Sequence, residues 1–351
     1  MKVYYSETHR RHDPPFEVID GGQRTPYLES PARMDSILAA LRQLQWAKIL
    51  EPAGFGLEPI RAVHTADYLD FLASAWRQWL AAYPENKEAP ADAAFLPATF
   101  ALRRHEPHIP TSLLGRAGYY MMDLSAVIIG GTYEAALASA NCALSAAHAI
   151  SNDEGPDPSA FALCRPPGHH AGPDYAAGYC FINNAAVAAQ WLSSRGTVAV
   201  LDVDYHDGNG TQDIFYRRGD VLTISLHADP AAEYPYYAGY ADETGAGDGA
   251  GFHHNFPLPA GIDDSGYLTA LDYALEIVRR FAPGNLVVSA GMDIHEKDKL
   301  GRFKITTDGL HAIGDRIAAL HVPTVIIMEG GYNNSDLGTN MASFVSAFNP
   351  Q

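Results

Sequence analysis

Apolar residues in the first half of the chain recur mostly at helical spacing. Such stripes mark Pro31–Leu50 and His64–Ala81, and an alanine-rich stripe marks Tyr133–Ile150. Spacing near 3.6 residues predicts amphipathic helices at these three places. The short apolar run Lys2–Tyr5 predicts a buried strand instead.

The interval between about Ala82 and Gly115 has no sustained period and contains five prolines. A structureless stretch of this length inside a compact domain is unusual and is usually functional or a partner surface. We therefore expect a loop-rich insertion at about 82–115.

The second half of the chain alternates short apolar runs with amphipathic stretches. Strands are predicted at Ala160–Cys164, Val198–Asp202, Val221–Leu226, Leu286–Ala290 and Thr324–Met328, and helices at Asn183–Leu192, Tyr267–Phe281 and Thr307–Leu320. Uninterrupted apolar strands between helices are typical of a parallel sheet covered on both faces. Without an internal repeat or a linker, we predict one α/β domain over residues 1–351, with a central, mostly parallel sheet flanked by helices.

Composition narrows the class of protein. A chain of 351 residues with 47% hydrophobic and 19% charged residues can bury a large core, which excludes intrinsic disorder. The net charge of −17 disfavours nucleic acid and anionic lipid as partners and attracts cations. The cysteines are too few for a disulfide framework, and no apolar run reaches the roughly 18 residues of a membrane span. With no signal peptide at the charged N-terminus, we expect a cytoplasmic protein without membrane contact.

Ligands of such folds bind at the carboxyl ends of the strands, so polar residues just after each run are the candidates. Asp202, Asp204 and His206 follow one strand two residues apart, and an extended chain would place them on one face. Asp293 follows another strand. Asp204, His206 and Asp293 leave a fourth position open, as catalytic zinc sites do, although iron(II), manganese or cobalt also suits oxygen ligands.

Other interpretations of these two strand ends remain open. The segment that ends in Asn209-Gly210 is also typical of a polar loop without a metal, and Asp293 is also typical of a helix cap. His295 is a rival ligand, although we favour a loop histidine near the site.

Two further strand ends carry groups that can move or donate protons. His169 and His170 follow a Pro-Pro-Gly turn, and an imidazole can accept and return a proton in one cycle. Asp202 and Asn209 are their expected hydrogen-bond partners, and a carboxylate raises the basicity of an imidazole more than an amide does. Tyr332 follows two glycines and offers a neutral donor for a developing oxyanion. Taken singly, a structural histidine and a rim aromatic are the simpler interpretations.

Together these segments resemble the arginase–deacetylase superfamily, and more closely the acetylpolyamine amidohydrolases, which are bacterial relatives of the histone deacetylases. The resemblance covers nearly the whole chain, and its specificity comes from the combination of segments. The segments are Arg165–Gly172 (RPPGHHAG), Gly178–Asn184 (GYCFINN), Asp202–Phe215 (DVDYHDGNGTQDIF) and Met328–Tyr332 (MEGGY), with Gly56–His64 (GLEPIRAVH) and Gly118–Tyr120 (GYY) before them.

The resemblance implies a role for each matching residue. It implies one catalytic zinc ion on Asp204, His206 and Asp293, and Tyr332 as the donor to the oxyanion. His170 would be the general base and acid, with His169 as its electrostatic partner and Asp202 and Asn209 orienting the two. The Gly178 carbonyl would accept the substrate N–H, and Tyr179 would line the channel. It also implies structural potassium ions at Asp202, Asp204, His206, Ser225 and Leu226, and at Phe215, Arg218 and Val221.

The implied reaction releases acetate and a cationic amine from a small N-acetylated amine, and the implied assembly is a homodimer built on the Ala82–Gly115 loop. Two residues depart from the pattern: Asp207 replaces a second histidine, and Leu114 replaces a glutamate that reads a distant ammonium group. Glu17 and Glu106 remain as acidic candidates for binding the amine. We therefore expect short substrates such as acetylputrescine and acetylcadaverine rather than acetylspermine.

Three other functions compete with this one. The nearest is deacetylation of acetyllysine in proteins or peptides, which a narrowed entrance would disfavour. A ureohydrolase with two manganese ions needs further Asp and His ligands, and the His169–His170 pair does not fit that set. A catalytically inactive amine sensor would be expected to lack a ligand or the tyrosine, and all of these are present.

Overall fold

The computed structural model describes residues 1–19, 22–87, 93–97, 108–152 and 158–349. The strands within these ranges are β1 (Lys2–Tyr4), β2 (Glu17–Ile19), β3 (Gln23–Thr25), β4 (Lys48–Leu50), β5 (Ser159–Ala162), β6 (Val198–Asp202), β7 (Val221–Ala228), β8 (His253–Leu258), β9 (Asn285–Ala290) and β10 (Thr324–Met328). Eight of them form one parallel sheet in the order β4-β1-β5-β10-β9-β6-β7-β8, while β2 and β3 pair antiparallel apart from it. The predicted α/β fold with a parallel sheet is confirmed.

Helices lie on both faces of this sheet. They are α1 (Ala32–Leu41), α2 (Glu58–Arg61), α3 (Ala66–Ala82), α4 (Leu113–Tyr120), α5 (Thr132–Ser151), α6 (Asn184–Ser193), α7 (Asn209–Phe215), α8 (Asp264–Phe281), α9 (Thr307–Ala318) and α10 (Asn334–Ser346). Val198 and Val200 of β6 pack into an apolar cluster with α3, α5 and α6, whereas Ala199 and Leu201 pack into one with α1, α8, α9 and α10. Because alternate residues of a strand point to opposite faces, burial on both faces explains the uninterrupted apolar runs.

The predicted elements of the second half match the structure closely, and β6 and β10 have the predicted bounds. The predicted helix Pro31–Leu50 is wrong at its end, because α1 ends at Leu41 and Lys48–Leu50 forms the edge strand β4. An edge strand of three residues with exposed ends is too short to produce a readable period.

Part of the insertion is more regular than the sequence indicated. Within 82–115 the structure describes 82–87, 93–97 and 108–115, and α4 begins there at Leu113. The Ser112 hydroxyl caps this helix by accepting the Gly115 N–H at 3.2 Å. The strand β8 and the helix α10 were not predicted either, since β8 starts with the polar run His253–Asn255.

The sheet register brings the candidate residues to one edge. Asp202 at the end of β6 lies beside Ser289 of β9, and Met328 at the end of β10 lies beside Ala290 of β9. The loops that follow these strands therefore begin level with one another. Among the helices of the described ranges, none combines the length and apolar content that a membrane crossing requires. The three cysteines are buried, free thiols.

Candidate active site

The loops after β6 and β9 bring together Asp204, His206 and Asp293. One donor atom from each of the three lies within 4.8 Å of the others. The His206 Nδ1 atom is 3.3 Å from Asp204 Oδ1 and 3.1 Å from Asp293 Oδ2. Asp202 does not join this group, because the extended geometry ends with β6 and its carboxylate turns elsewhere.

Backbone amides fix both carboxylates of this cluster. Asp204 accepts the N–H groups of His206 at 2.9 Å and Gly330 at 2.8 Å, and Asp293 accepts the Tyr205 N–H at 3.0 Å. A Cβ atom at Gly330 would overlap both carboxylates, so a side chain there would displace them. The three donors are therefore held in place before anything binds.

The donor set fits a divalent cation. Asp204 and Asp293 are fully buried, and burial together with the charge of Asp204 raises the pKa of Asp293 to about 7. Two buried carboxylates that repel each other need a positive charge between them. Two oxygens and one imidazole nitrogen form the kind of ligand set, open at one position, that catalytic metal sites use.

The adjacent histidines His169 and His170 have different partners. Their rings lie 4.0 Å apart, yet His169 Nδ1 is 3.0 Å from Asp202 Oδ2 and His170 Nδ1 is 2.7 Å from Asn209 Oδ1. Burial disfavours a charge on His169, but Asp204 and Asp202 outweigh burial and raise its pKa well above the usual range. Burial and the positive charges of the neighbouring histidines lower the pKa of His170. The different partners thus set the pKa values of the two rings apart, with that of His169 raised and that of His170 lowered.

The amide of Asn209 also fixes the tautomer of His170. The Tyr175 hydroxyl donates to Asp213 at 2.5 Å, so its oxygen accepts the Asn209 Nδ2–H at 3.2 Å. The Asn209 Oδ1 atom is then the acceptor that faces His170, and His170 donates from Nδ1. Its Nε2 atom is left as the free base.

Glu329 is a site residue that the sequence analysis missed. Its Oε2 atom accepts the Gly168 N–H at 2.7 Å and the His169 N–H at 3.2 Å, and burial raises its pKa to about 7. This carboxylate therefore holds the backbone that carries the histidine pair. Glu329 directly follows β10, so the expectation that functional residues lie at the carboxyl ends of the strands could have identified it.

A buried ion network under the site was also missed. Glu29 Oε1 accepts from Arg33 at 2.6 Å and from Arg165 at 2.9 Å, and none of these side chains is exposed. Arg33 also donates to the carbonyl oxygens of Glu329 at 2.5 Å and Gly331 at 2.6 Å. The network anchors the turn that precedes Tyr332. Arg33 lies on α1, where a single sequence gives no sign that an arginine points inward.

Tyr332 is buried and lines the same cavity as His206. The Asp298 carboxylate accepts its backbone N–H at 2.6 Å, and the Arg33 guanidinium lies 5.0 Å from the ring centre. The Tyr179 ring is 5.6 Å away on the other side. The turn that carries Tyr332 is therefore fixed on two sides.

A cavity of about 400 Å³ opens above these residues. Its lining includes His170, Gly178, Tyr179, His206 and Tyr332. Gly178 and Tyr179 both have positive φ, at 51° and 67°. Such a conformation costs roughly 1–3 kcal/mol for a residue other than glycine, and it persists only where the surroundings enforce it. A larger cavity of about 630 Å³ lies at the opposite edge of the sheet, far from this chemistry.

Of the two glutamates predicted to bind the amine, Glu17 and Glu106, the structure describes only Glu17. Glu17 is buried and accepts the Leu28 N–H at 2.9 Å, and burial raises its pKa although a hydrogen bond with Tyr179 opposes this. Glu106 lies outside the described residues. Leu114 is half exposed on α4, and His295 uses Nδ1 to accept the Lys297 N–H at 3.4 Å.

The predicted potassium positions lie around β6 and β7. Ser225 is the register partner of Asp202, and the Arg218 N–H donates to the Phe215 carbonyl at 2.9 Å. Asp207 is buried close by, with its Oδ1 atom 3.5 Å from His227 Nδ1. Neither carboxylate oxygen of Asp207 has a hydrogen-bond partner among the described residues, and burial raises its pKa well above the usual range.

The sequence and the structure of this chain are similar to those of known proteins. The histone deacetylase domain family matches residues 27–348. The acetylpolyamine amidohydrolase 1 of Pseudomonas aeruginosa is 44% identical over 350 residues, which are 99% of this chain and 99% of that protein. The acetylpolyamine amidohydrolase of Mycoplana ramosa is 44% identical, with 98% of each chain covered. A crystal structure of acetylpolyamine aminohydrolase from Burkholderia pseudomallei matches with a TM-score of 0.92 and 40% identity, over 99% of this chain and 98% of the other.

Proposed function

Because this chain belongs to the histone deacetylase family, we propose that it removes the acetyl group from small N-acetylated amines as a zinc-dependent amidohydrolase. The observation that carries the proposal is the buried cluster of Asp204, His206 and Asp293 beside His170 at the base of a cavity. The similarity to acetylpolyamine amidohydrolases over the full length supports the substrate class. The products are acetate and the free amine.

Asp204, His206 and Asp293 would hold the zinc ion. A bound zinc ion supplies Lewis-acid polarisation of the acetyl carbonyl and lowers the pKa of a water molecule to about 7. The same donor set accepts iron(II), manganese or cobalt, so metal analysis of purified protein decides between them.

His170 moves the proton in this reaction. Its neutral Nε2 atom accepts a proton as water attacks the amide carbon, and the resulting imidazolium returns that proton to the amine as the C–N bond breaks. The ring of His169 lies beside it, and its contact with Asp202 favours a positive charge there, which would stabilise the negative charge that develops. The Tyr332 hydroxyl donates a hydrogen bond to the oxygen that becomes negative, and the Gly178 carbonyl accepts the amide N–H.

The test is a substrate panel with protein of known metal content. We expect acetate release from acetylputrescine and acetylcadaverine, slower release from acetylspermine because Leu114 offers no charge, and little from an acetyllysine peptide. A clear preference for the peptide would favour the protein deacetylase instead. Metal-loaded protein that binds these amines without releasing acetate would overturn the hydrolase proposal.

We also propose a homodimer formed through the insertion at about 82–115, within a single domain. Ile109 and Leu114, at the end of this insertion, are large apolar side chains with about half of their surface exposed. Burial of such side chains in an interface is favourable. Light scattering should give twice the chain mass for the native protein and a lower value for Leu114→Glu.

The potassium sites are a further proposal. Ser225 and Leu226 lie on β7 beside the loop that carries Asp204 and His206, so a cation there would screen the buried carboxylates. We expect higher thermal stability in potassium chloride than in an equal concentration of choline chloride. Equal melting temperatures in the two salts would contradict the proposed potassium sites.

A further inference from the structure

We infer that Asp123 is a positioning residue, whose carboxylate clamps the two walls of the cavity at a fixed separation and thereby sets which amines fit. The inference rests on the proposed function. The two walls are residues 176–180, which carry Gly178 and Tyr179, and the loop 229–240, which carries Tyr234.

One oxygen of Asp123 makes both contacts. Its Oδ2 atom accepts the Gly178 N–H at 2.9 Å and the Tyr234 hydroxyl at 2.6 Å. Gly178, Tyr234 and Asp123 all line the cavity of about 400 Å³. Hydrogen bonds to a carboxylate are short and about twice as strong as those between neutral groups, so this bridge is stiffer than contact between the two walls.

The other oxygen holds Asp123 itself in place. Its Oδ1 atom accepts the Ser125 N–H at 2.9 Å, the Ser125 hydroxyl at 2.7 Å and the Ala126 N–H at 3.3 Å. The preceding Met122 N–H donates to the Ala176 carbonyl at 2.9 Å. The carboxylate is thus fixed to a turn that is itself bonded to one wall, and it has no rotational freedom to release the other.

Both clamped groups touch His170. The Tyr234 ring packs edge-on against the His170 ring at 4.9 Å, and a Cβ atom on Gly178 would overlap the same imidazole. A wall that moves outward would therefore leave His170 with room to turn. Asp123 acts on the chemistry through these two groups, without itself touching the reacting atoms.

The hydrogen bond from Gly178 to Asp123 also explains how Gly178 and Tyr179 are kept in the left-handed backbone conformation. Gly178 and Tyr179 follow one another with positive φ, and the Gly178 N–H is the group that Asp123 holds. Tyr179 and Tyr234 both line the cavity, and Asp123 joins the Tyr234 hydroxyl to the backbone N–H of the residue before Tyr179. An unbranched amine chain fits between two fixed rings, whereas a bulky chain needs them to separate.

The experiment compares Asp123→Asn, Tyr234→Phe and the double variant, with Tyr273→Phe as a matched control. Tyr273 is an exposed tyrosine of α8, outside the cavity lining. Tyr234→Phe should lower kcat/KM for acetylcadaverine about tenfold, mainly through KM, and Asp123→Asn should lower it further because both walls are released. The double variant should be no worse than Asp123→Asn, because the two residues act through one hydrogen bond.

Two readouts separate positioning from a merely structural role. The ratio of kcat/KM for acetylcadaverine to that for a short acetyllysine peptide should fall in Tyr234→Phe and stay at the native value in Tyr273→Phe. Amide hydrogen exchange at Gly178 should accelerate in Asp123→Asn with or without substrate.

Additive losses, an unchanged substrate ratio, or a Gly178 amide that exchanges at the native rate in Asp123→Asn would overturn the inference. Accelerated exchange at Gly178 in a protein that hydrolyses no acetylated amine would instead overturn the proposed function while supporting the clamp.

Discussion

The floor of the cavity and its walls are built by different means. The floor consists of Asp204, His206 and Asp293, whose carboxylates accept backbone N–H groups from loops that leave adjacent strands. The walls are loops from separate parts of the chain, and the Asp123 side chain hydrogen-bonds to both of them. Sheet geometry therefore fixes the floor before a ligand arrives, whereas the separation of the walls depends on a few hydrogen bonds. Substitutions in the floor should abolish the reaction, and substitutions in the walls should change what reacts.

The largest effect is expected from Asp293→Asn. A neutral amide removes one of two anionic ligands, and Lewis-acid polarisation contributes several kcal/mol, so activity should fall by a factor on the order of 10³ or more. Metal content measured by mass spectrometry should fall in parallel with acetate release.

Asp70→Asn is the control for this substitution, since Asp70 is exposed on α3 and does not line the cavity. A variant Asp293→Asn that keeps both its metal and its activity would show that the floor is not the metal site.

The second-largest effect is expected from Tyr332→Phe, which removes the hydroxyl that we propose as the oxyanion donor. Tyr332→Phe should keep the metal and the substrate affinity but lower kcat by about 10²–10³, the usual loss for one oxyanion donor. The reason is that the phenol bonds more strongly to the developing negative oxygen than to the amide carbonyl. An unchanged kcat in this variant would show that the Tyr332 hydroxyl does not stabilise the oxyanion.

The same contrast explains what the sequence could predict. The strands β6, β9 and β10 are apolar on both faces, so each is visible in the sequence as an uninterrupted apolar run. The polar residues that follow these runs therefore predict the floor from local sequence alone. The short strand β4 lacked such a run and was misread as a helix end.

The supports of the site were less readable. Arg33 and Glu29 are charged residues buried by tertiary contacts, and nothing in their neighbourhood along the chain distinguishes them from surface residues. Asp123 likewise reaches partners 55 and 111 residues away. Contacts of this kind depend on where loops meet, which residue spacing does not encode.

A third prediction concerns His170, one of the two adjacent histidines beside the floor. Burial and neighbouring charges lower the pKa of His170, so its neutral, proton-accepting form persists below pH 6.5 and is lost only as the pH falls through the lowered value. Asn209→Asp places a carboxylate next to Nδ1, which stabilises the imidazolium and raises that pKa. The acid limb of kcat/KM should therefore move to higher pH by about one unit, measured from pH 5 to 9.

Asn152→Asp, at the exposed end of α5, makes the same chemical change away from the site. It should leave the profile unchanged. An acid limb that does not move in Asn209→Asp would assign the proton transfer to a group other than His170.

The smallest effect is expected at the rim of the walls, where Glu233 pairs with Arg302 at 3.2 Å. The Arg302 side chain is 70% exposed, so the pair contributes at most about 1 kcal/mol to stability. Glu233→Gln should raise KM for a cationic amine about two- to fivefold and leave kcat unchanged. The effect should weaken at high salt, because dissolved ions screen the attraction between Glu233 and an approaching amine. Glu276→Gln breaks a similar pair with Arg280 on α8 and is the control. An equal change in KM for a neutral acetamide would show that Glu233 acts through wall shape, as Asp123 does, rather than through charge.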